Sequence, residues 1–559
     1  MSFYPRARVA ATPPSPPAAC TCACTCGGGA PPAAGAGLPA GVVAVRADGL
    51  VATATAGGPG ALVLPRGGGG PLVTGELVAW CVVVTLAPAV VGPDGRVAVG
   101  GWLPDHVRLG VLEPHLGEGV LEEVVAAKGK EPGERHRLMS LELAARHVLA
   151  MTLAPESYVD VMAGLAGLLV LLPWQRPWQV PCSTVFTDWR RRLGPEAMRE
   201  LFWRVAGPIV TDDDARWHGL WVCGVDGFQT RVPDTPANRA AFGSSGTSDD
   251  SSPFPMPRAV AATTRAGRAI LGAEMDASSV GEQTLTWRLV KRHPWLFGPG
   301  RVYLFDRNFL GYHLIAKIIK CGAHLVMRIK AGVALHFVKW LPDGSYLAHL
   351  YSPDGKSKIE LRVAEYDVTL PDGTVSEVFC LATTLLDHEE HPQGEVGDLY
   401  KQRWSACETT IGENKSAITD AGPSRGPILR SGEPDLVRQE FWAWLIATHL
   451  VRKAAHAATR TTTGVDTDQI SFTTMRHAAT RSLAQSVVTA TTSAAALAAA
   501  ADRAARTALT NLVVTNRDRH SPRAQKHKPK FPHTSTTKPT THGPFQVNLS
   551  QPPAPADTS

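Results

Sequence analysis

No run of apolar residues in this sequence is long enough to cross a bilayer. The longest are Leu77–Val91, which Pro88 interrupts, and Val161–Leu172; both fall short of the roughly 20 residues a membrane helix needs. They read as buried segments, and no membrane partner is expected. The first residues, MSFYPRARVAATPPSPPAAC, lack the continuous apolar stretch of a secretory signal, so the expected location is the cytoplasm. The run Gly67–Gly70 has no following Gly-Lys-Ser/Thr, which excludes a phosphate-binding P-loop there. Zinc-type cysteine pairs are missing as well. Cys20, Cys22, Cys24 and Cys26 alternate strictly inside a Pro/Ala/Gly-rich stretch, unlike the C-x2-C pairs of zinc sites. The remaining cysteines are scattered, as suits a reducing compartment.

What is present is a long, mildly basic chain. Its 559 residues exceed one ordinary core, and 44% are hydrophobic, so two or more globular domains are expected. Lys and Arg total 56 against 50 Asp and Glu, a net charge of +6, which is compatible with a polyanionic partner without requiring one.

Composition divides the chain into seven stretches. Residues 1–102 are rich in Gly, Ala, Pro and Val, hold no sustained period, and are expected to be poorly ordered. Residues 103–210 read as helical: HRLMSLELAARHVLAMTLA carries apolar residues at helical spacing, and STVFTDWRRRLGPEAMRELFWRVAG holds two amphipathic stretches parted by Gly-Pro, with Ser183 as an N-cap. The cluster Arg190, Arg191 and Arg192 is either a contact for DNA phosphates or a solvated helix end. Residues 211–330 change to strands alternating with helices: GLWVCGVDGFQTRV, the hairpin RAVAATT/AILGAEMD, a helix, RVYLFDRNF, the helix GYHLIAKIIKCG and the strand AHLVMRIK. That order predicts a mixed α/β sheet with parallel members. Residues 331–376 hold three Pro-Asp-Gly turns between short strands and read as a β-rich insertion. Residues 377–458 resume the core with FCLATTLLD, a helix through LYKQRWSACETTIGENKSA, and an apolar helix over 439–458. A helical region is expected over 459–515, and a basic, disordered tail over 516–559.

Two aspartates stand out. Asp226 lies in VCGVDG and Asp306 in VYLFDRN. An unpaired carboxylate in an apolar strand is costly, so each calls for a partner, and a metal ion is the usual one. Gly227 leaves space, while Arg307-Asn308 can hold a phosphate or a water beside a metal. Glu408, on a later helix, completes a hard-oxygen set suited to two Mg2+ or Mn2+ ions. Such a pair of ions clamps the attacking and leaving oxygens of an in-line phosphodiester displacement.

These blocks, in this order, resemble the DDE transposases of bacterial insertion sequences, of the insertion-sequence-four type. VDGFQTRVPDTPANRAAFG is similar to that family's first-aspartate block, FDRNFLGYHL to its second, and DLYKQRWSACETTIGENK to its Tyr-Arg-Glu-Lys signature; RRRLGPEAMRELFWRVAG resembles the end of its helical N-terminal domain. The resemblance covers roughly residues 103–530. It implies a ribonuclease H-like mixed sheet with helices and a β-strand insertion, preceded by an all-helical domain. It further implies Asp226, Asp306 and Glu408 as metal ligands, Tyr400, Arg403 and Lys415 as contacts to phosphates near a transposon end, and Trp340 as a handler of a flipped base, unless Trp340 is a core residue of the insertion.

One spacing departs from the family. Four residues separate Arg403 from Glu408, which on a regular helix sets them about 140° apart. Either a π-bulge restores Arg403 to the site or Arg403 has another role. Glu413 is the alternative third acid, but it falls on a different face from Lys415. The resemblance implies an enzyme that binds terminal inverted repeats, cleaves DNA and joins the 3′-hydroxyl end to target DNA, as a dimer on double-stranded DNA. The alternatives are a catalytically decayed DNA-binding relative and a host nuclease on the same fold.

Overall fold

The computed structural model describes residues 102–127, 139–154, 156–171, 178–244, 254–330, 333–369, 379–403, 409–417, 429–460, 464–483 and 503–513, with a few single positions and short strand segments besides. The first hundred residues lie outside these, apart from two short hairpins, Val43–Ala47 with Leu50–Ala54 and Ala89–Val91 with Val97–Val99.

Helices dominate from Leu103 to Val205. Ser140 caps α1 (Leu141–Leu153), its hydroxyl accepting the Leu143 N–H at 3.1 Å; Ser157 caps α2 (Tyr158–Ala166) the same way. Both caps satisfy amides that helix geometry leaves unpaired. α3 (Ser183–Val205) begins at Ser183 itself, with Cys182 in the cap position, one residue earlier than the sequence suggests. Gly194, at φ +70°, and Pro195 divide α3 into two segments, because proline offers no N–H and glycine alone tolerates that backbone freely.

The core sheet is built from β1 (Trp221–Gln229), β2 (Arg258–Thr264), β3 (Ile270–Asp276), β4 (Arg301–Phe305) and β5 (His324–Arg328), in the spatial order β3-β2-β1-β4-β5. β1, β2 and β3 form an antiparallel meander; β4 and β5 run parallel to β1. This is a ribonuclease H-like arrangement. α5 (Glu282–Arg292) and α6 (Tyr312–Cys321) cover one face, packing Leu285, Leu289, Ile315 and Ile318 on Cys223, Val225, Tyr303 and Phe305. Gly322, at φ +100°, closes α6 in the left-handed conformation.

The segment read as an insertion does not stand apart. β6 (His336–Trp340), β7 (Tyr346–Tyr351), β8 (Lys358–Thr369) and β9 (Phe379–Thr383) form an antiparallel series that joins the core through β9 against β5. The Pro-Asp-Gly turns at Gly344 and Gly355 use the positive φ that glycine allows. The tail expected to be disordered also contributes: β10 (Gln546–Leu549) pairs antiparallel with Tyr366–Thr369 of β8, because β8 outruns β7 and leaves backbone groups for a further strand.

On the opposite face lie α7 (Gln393–Lys401), α8 (Thr409–Ala417) and the long α9 (Pro434–Thr459). α9 packs against α3 and α1, and the same apolar cluster includes Phe228, Ala259 and Ala261 of the sheet. The helical segment and the core sheet therefore share one apolar core. α10 (Phe472–Leu483) completes that layer.

Two histidines are sealed into this core. His147 stacks on Phe186 with ring centroids 4.5 Å apart, and its Nε2 donates to the Tyr158 carbonyl at 2.9 Å. Burial pushes the pKa of His147 down to about 3, and burial does the same to His449, also to about 3. Below the ordinary histidine pKa of about 6.5, the unfolded chain takes up protons that the folded chain refuses. Stability should therefore fall as pH drops from 7 to 5, by on the order of 2 kcal/mol per histidine. Urea unfolding at both pH values checks this; an unchanged midpoint contradicts the buried neutral state of these rings.

Candidate active site

The parallel register of β1 with β4 runs Trp221↔Arg301 through Val225↔Phe305. Asp226 and Asp306 are the next residue on each strand. Register partners on neighbouring parallel strands point to the same face, about 5 Å apart between backbones. The two carboxylates, placed separately by the sequence, thus come to one height on one face of the sheet. That face also carries Val222, Val302 and Leu304, which α7 covers with Val396, Leu399 and Tyr400.

Each aspartate is oriented by the amide that follows it. The Gly227 N–H donates to Asp226 Oδ1 at 2.8 Å, and the Arg307 N–H donates to Asp306 Oδ1 at 2.7 Å. Both side chains are half-buried. Gly227 has a further reason to be glycine, since a Cβ there would lie 2.3 Å from the carboxyl carbon of Glu282. That close approach brings the first residue of α5 against the Asp226 strand. Glu282 went unnoticed in the sequence, where only the Asp-Gly pair hints that something packs tightly there.

Tyr400 and Arg403 arrive from the α7 end. The Tyr400 hydroxyl donates to the Phe305 carbonyl at 3.1 Å, immediately before Asp306. Burial pushes its pKa up to about 12, so it keeps its proton. A phenol has one proton to give, and here it goes to the Phe305 carbonyl, which supports the chain just before Asp306. Arg403 is buried, with its guanidinium 5.8 Å from the Tyr400 ring centre. α7 ends at Lys401, and its last turn tightens at the cap, where the Gln402 N–H reaches Leu399 O at 3.0 Å. Arg307 is exposed beside Asp306.

Glu408, and the interval from 404 to 408 in which a π-bulge is expected, lie outside the described residues, as does the side chain of Lys415. Among the described residues, no three His, Cys, Asp or Glu side chains gather to hold a metal. The two aspartates fit part of such a set: hard oxygens at matching positions past the paired β1 and β4 register. α8 follows directly after Glu408, and its Ile411 packs in the cluster that holds Ala261, the register partner of Asp226. Glu413, the alternative acid, is instead paired with Arg268 and Arg452.

Two outlying candidates lie in contrasting surroundings. Arg190 is 1% exposed, and its guanidinium donates to Gln439, Tyr158, Ser431 and the Leu436 carbonyl. It joins α3 to the start of α9 and has no face for DNA. Arg191 is exposed and paired with Asp188 and Glu433, and Arg192 is exposed over the Trp189 ring. Trp340 is 40% exposed on the outermost strand, packed against Phe337 and Tyr346, and so is a surface aromatic rather than a core residue of the insertion.

Residues 106–203 match the family described as insertion element 4 transposase N-terminal, and residues 217–421 match the transposase DDE domain. The chain is similar to the transposase InsG for insertion sequence element IS4 of Escherichia coli, 27% identical over 350 residues, spanning 60% of this chain and 75% of that protein. It is also 26% identical over 161 residues to the putative transposase InsZ of Escherichia coli, covering 27% of this chain and 52% of the other. A piggyBac transposase synaptic complex with hairpin DNA overlaps 67% of this chain and 80% of its own, at TM-score 0.37 and 10% identity, a likeness too slight to carry an argument.

Arg190→Met should lower stability by about 3 kcal/mol, the usual cost of breaking a buried charged network, and leave the salt dependence of DNA binding unchanged. Thermal unfolding together with a salt titration of binding separates the two effects. A weaker salt dependence in a stably folded Arg190→Met chain would return Arg190 to the DNA interface.

Proposed function

We propose that this chain, which belongs to the DDE transposases of the insertion-element-four type, binds the terminal inverted repeats of its element, hydrolyses one strand to expose a 3′-hydroxyl, and joins that hydroxyl to target DNA. The observation that carries the reading is the side-by-side position of Asp226 and Asp306, one residue beyond the Val225↔Phe305 register on adjacent parallel strands. Glu408 is the third acid. It stands directly before α8 in the sequence, and Ile411 of α8 belongs to the apolar cluster that also holds Ala261, the register partner of Asp226.

Two Mg2+ or Mn2+ ions held by Asp226, Asp306 and Glu408 would supply Lewis-acid stabilisation of the attacking and leaving oxygens. The chain's own residues do the rest. The amides of Gly227 and Arg307 keep one oxygen of each aspartate turned back to the strand. Tyr400 steadies the Phe305 carbonyl, so that Asp306 keeps its height relative to Asp226. Arg307, which follows Asp306 directly, and Arg403 and Lys415, which flank Glu408 in the sequence, bind the phosphates of the cleaved strand. Trp340, exposed and aromatic, suits stacking on an unpaired base. Arg191 and Arg192 are left as the exposed members of the α3 cluster for phosphate contact. Cutting two ends in one event calls for two copies of the chain on DNA, acting in the bacterial cytoplasm.

Nicking of a supercoiled plasmid bearing the element's ends, in Mn2+, tests the reading. The chain should nick and give strand-transfer products, and Asp226→Ala, Asp306→Ala and Glu408→Ala should each lose about three orders of magnitude in rate while still binding the ends. Tight end binding without cleavage by the unaltered chain points to a decayed relative. Cleavage indifferent to the repeats, with no joined product, points to a host nuclease.

A further inference from the structure

The carboxylate of Glu413 is gripped from two sides. One oxygen accepts from Arg268 and the other from Arg452. Both arginines are buried, and they come from unrelated places. Arg268 ends the tight turn between β2 and β3, while Arg452 lies on α9. Arg268 also reaches Asp468, its Nε 3.5 Å from Oδ1 and its Nη2 3.4 Å from the backbone carbonyl. Arg452 donates to the Ile470 carbonyl at 3.4 Å and lies over the Phe472 ring at 5.1 Å. The backbone of Arg268 sits at φ +50°, a left-handed conformation that a long side chain rarely adopts. The turn holds that conformation while its guanidinium spans to α8.

Nothing in this cluster touches Asp226 or Asp306, yet α8 begins at Thr409, directly after Glu408. Ile411 packs α8 on the apolar core beside the buried Thr410, and an apolar contact tolerates sliding. A carboxylate held at each oxygen by a different element fixes both the rotation of the helix and its height along the sheet, because moving either way stretches one of two charge-assisted pairs. We propose that the Arg268–Glu413–Arg452 clamp sets the axial register of α8, the helix that begins directly after Glu408, making Glu413 a positioning residue for the metal-binding acids. The proposal rests on the reading of Glu408 as third acid.

The test uses the full chain without DNA. Mn2+ affinity is read from the electron paramagnetic resonance of the free ion, and the ordering of α8 from hydrogen exchange over Thr409–Ala417. Glu413→Gln keeps the shape and removes the charge; it should weaken Mn2+ binding about tenfold, the usual effect of losing a group that orients ligands, and speed exchange in α8. Arg268→Lys, which keeps a cation but loses the fork, should shift affinity a few-fold in the same direction. Wild-type Mn2+ affinity in a folded Glu413→Gln chain would overturn the clamp; if that chain does not fold, wild-type affinity in Arg268→Lys would do so. Loss of Mn2+ binding in Glu413→Gln as complete as in Asp306→Ala would make Glu413 a ligand and also overturn it. Glu408→Gln is measured alongside. If it binds Mn2+ like the wild type, the reading of the third acid fails; if it weakens binding while Glu413→Gln does not, only the clamp fails.

Discussion

Parallel strands cannot be joined by a tight turn, so β4 reaches the side of β1 only after the chain has passed through β2, β3 and α5. The pairing that results sets nearly everything around the candidate site. It brings Asp226 and Asp306, 80 positions apart, to one height on one face. It buries Cys223, Val225, Tyr303 and Phe305 against α5 and α6 on one side, and Val222, Val302 and Leu304 against α7 on the other. It also makes the Phe305 carbonyl available to Tyr400. A slip of one residue in this pairing would turn one aspartate toward α5 and α6.

The second organising feature is α9. Its apolar surface faces the helical segment on one side and the outer strands of the sheet on the other, so regions that read as separate domains are welded through Phe441, Trp442 and Trp444. Buried polar groups follow the same seam. Arg190 bridges α3 to the start of α9, and Arg452 bridges α9 to α8. Each arginine has acceptors from two elements, which suits a cation far better than burial alone.

The antiparallel extension from β6 to β9 explains how the sheet reaches its size without exposing its site. β9 covers the edge of β5, and Asp343, in the first Pro-Asp-Gly turn, pairs with the fully buried Arg362 at 2.5 Å while accepting the Gln393 N–H at 3.0 Å. Burial resists the charge on Asp343, but the hydrogen bonds from Ser345 and the nearby Arg362 hold its pKa below the ordinary value. A turn of the extension is thereby tied to the first residue of α7, the helix that carries Tyr400.

Much of this was legible from residue order. Strands with β-branched residues, the Gly-Pro break in α3, the glycine that ends α6 and the Pro-Asp-Gly turns depend on local sterics and local hydrogen bonding, which travel with the residues themselves. So do Asp226 and Asp306, because a carboxylate inside an apolar strand, or directly after one, is conspicuous without knowing its neighbours. Other assignments turned on partners far away in the chain. Arg190 looks like any surface arginine until Gln439 and Ser431 close over it; the Tyr400 hydroxyl has no visible acceptor until the Phe305 carbonyl is brought beside it; Gly227 looks merely flexible until Glu282 occupies the space a Cβ would need. Local chemistry determined which segments are strands and which acids are unusual. The tertiary structure alone decided which donors are already spent and which residues stand level, because hydrogen bonds and registers are made between strands and helices that the chain separates by scores of residues.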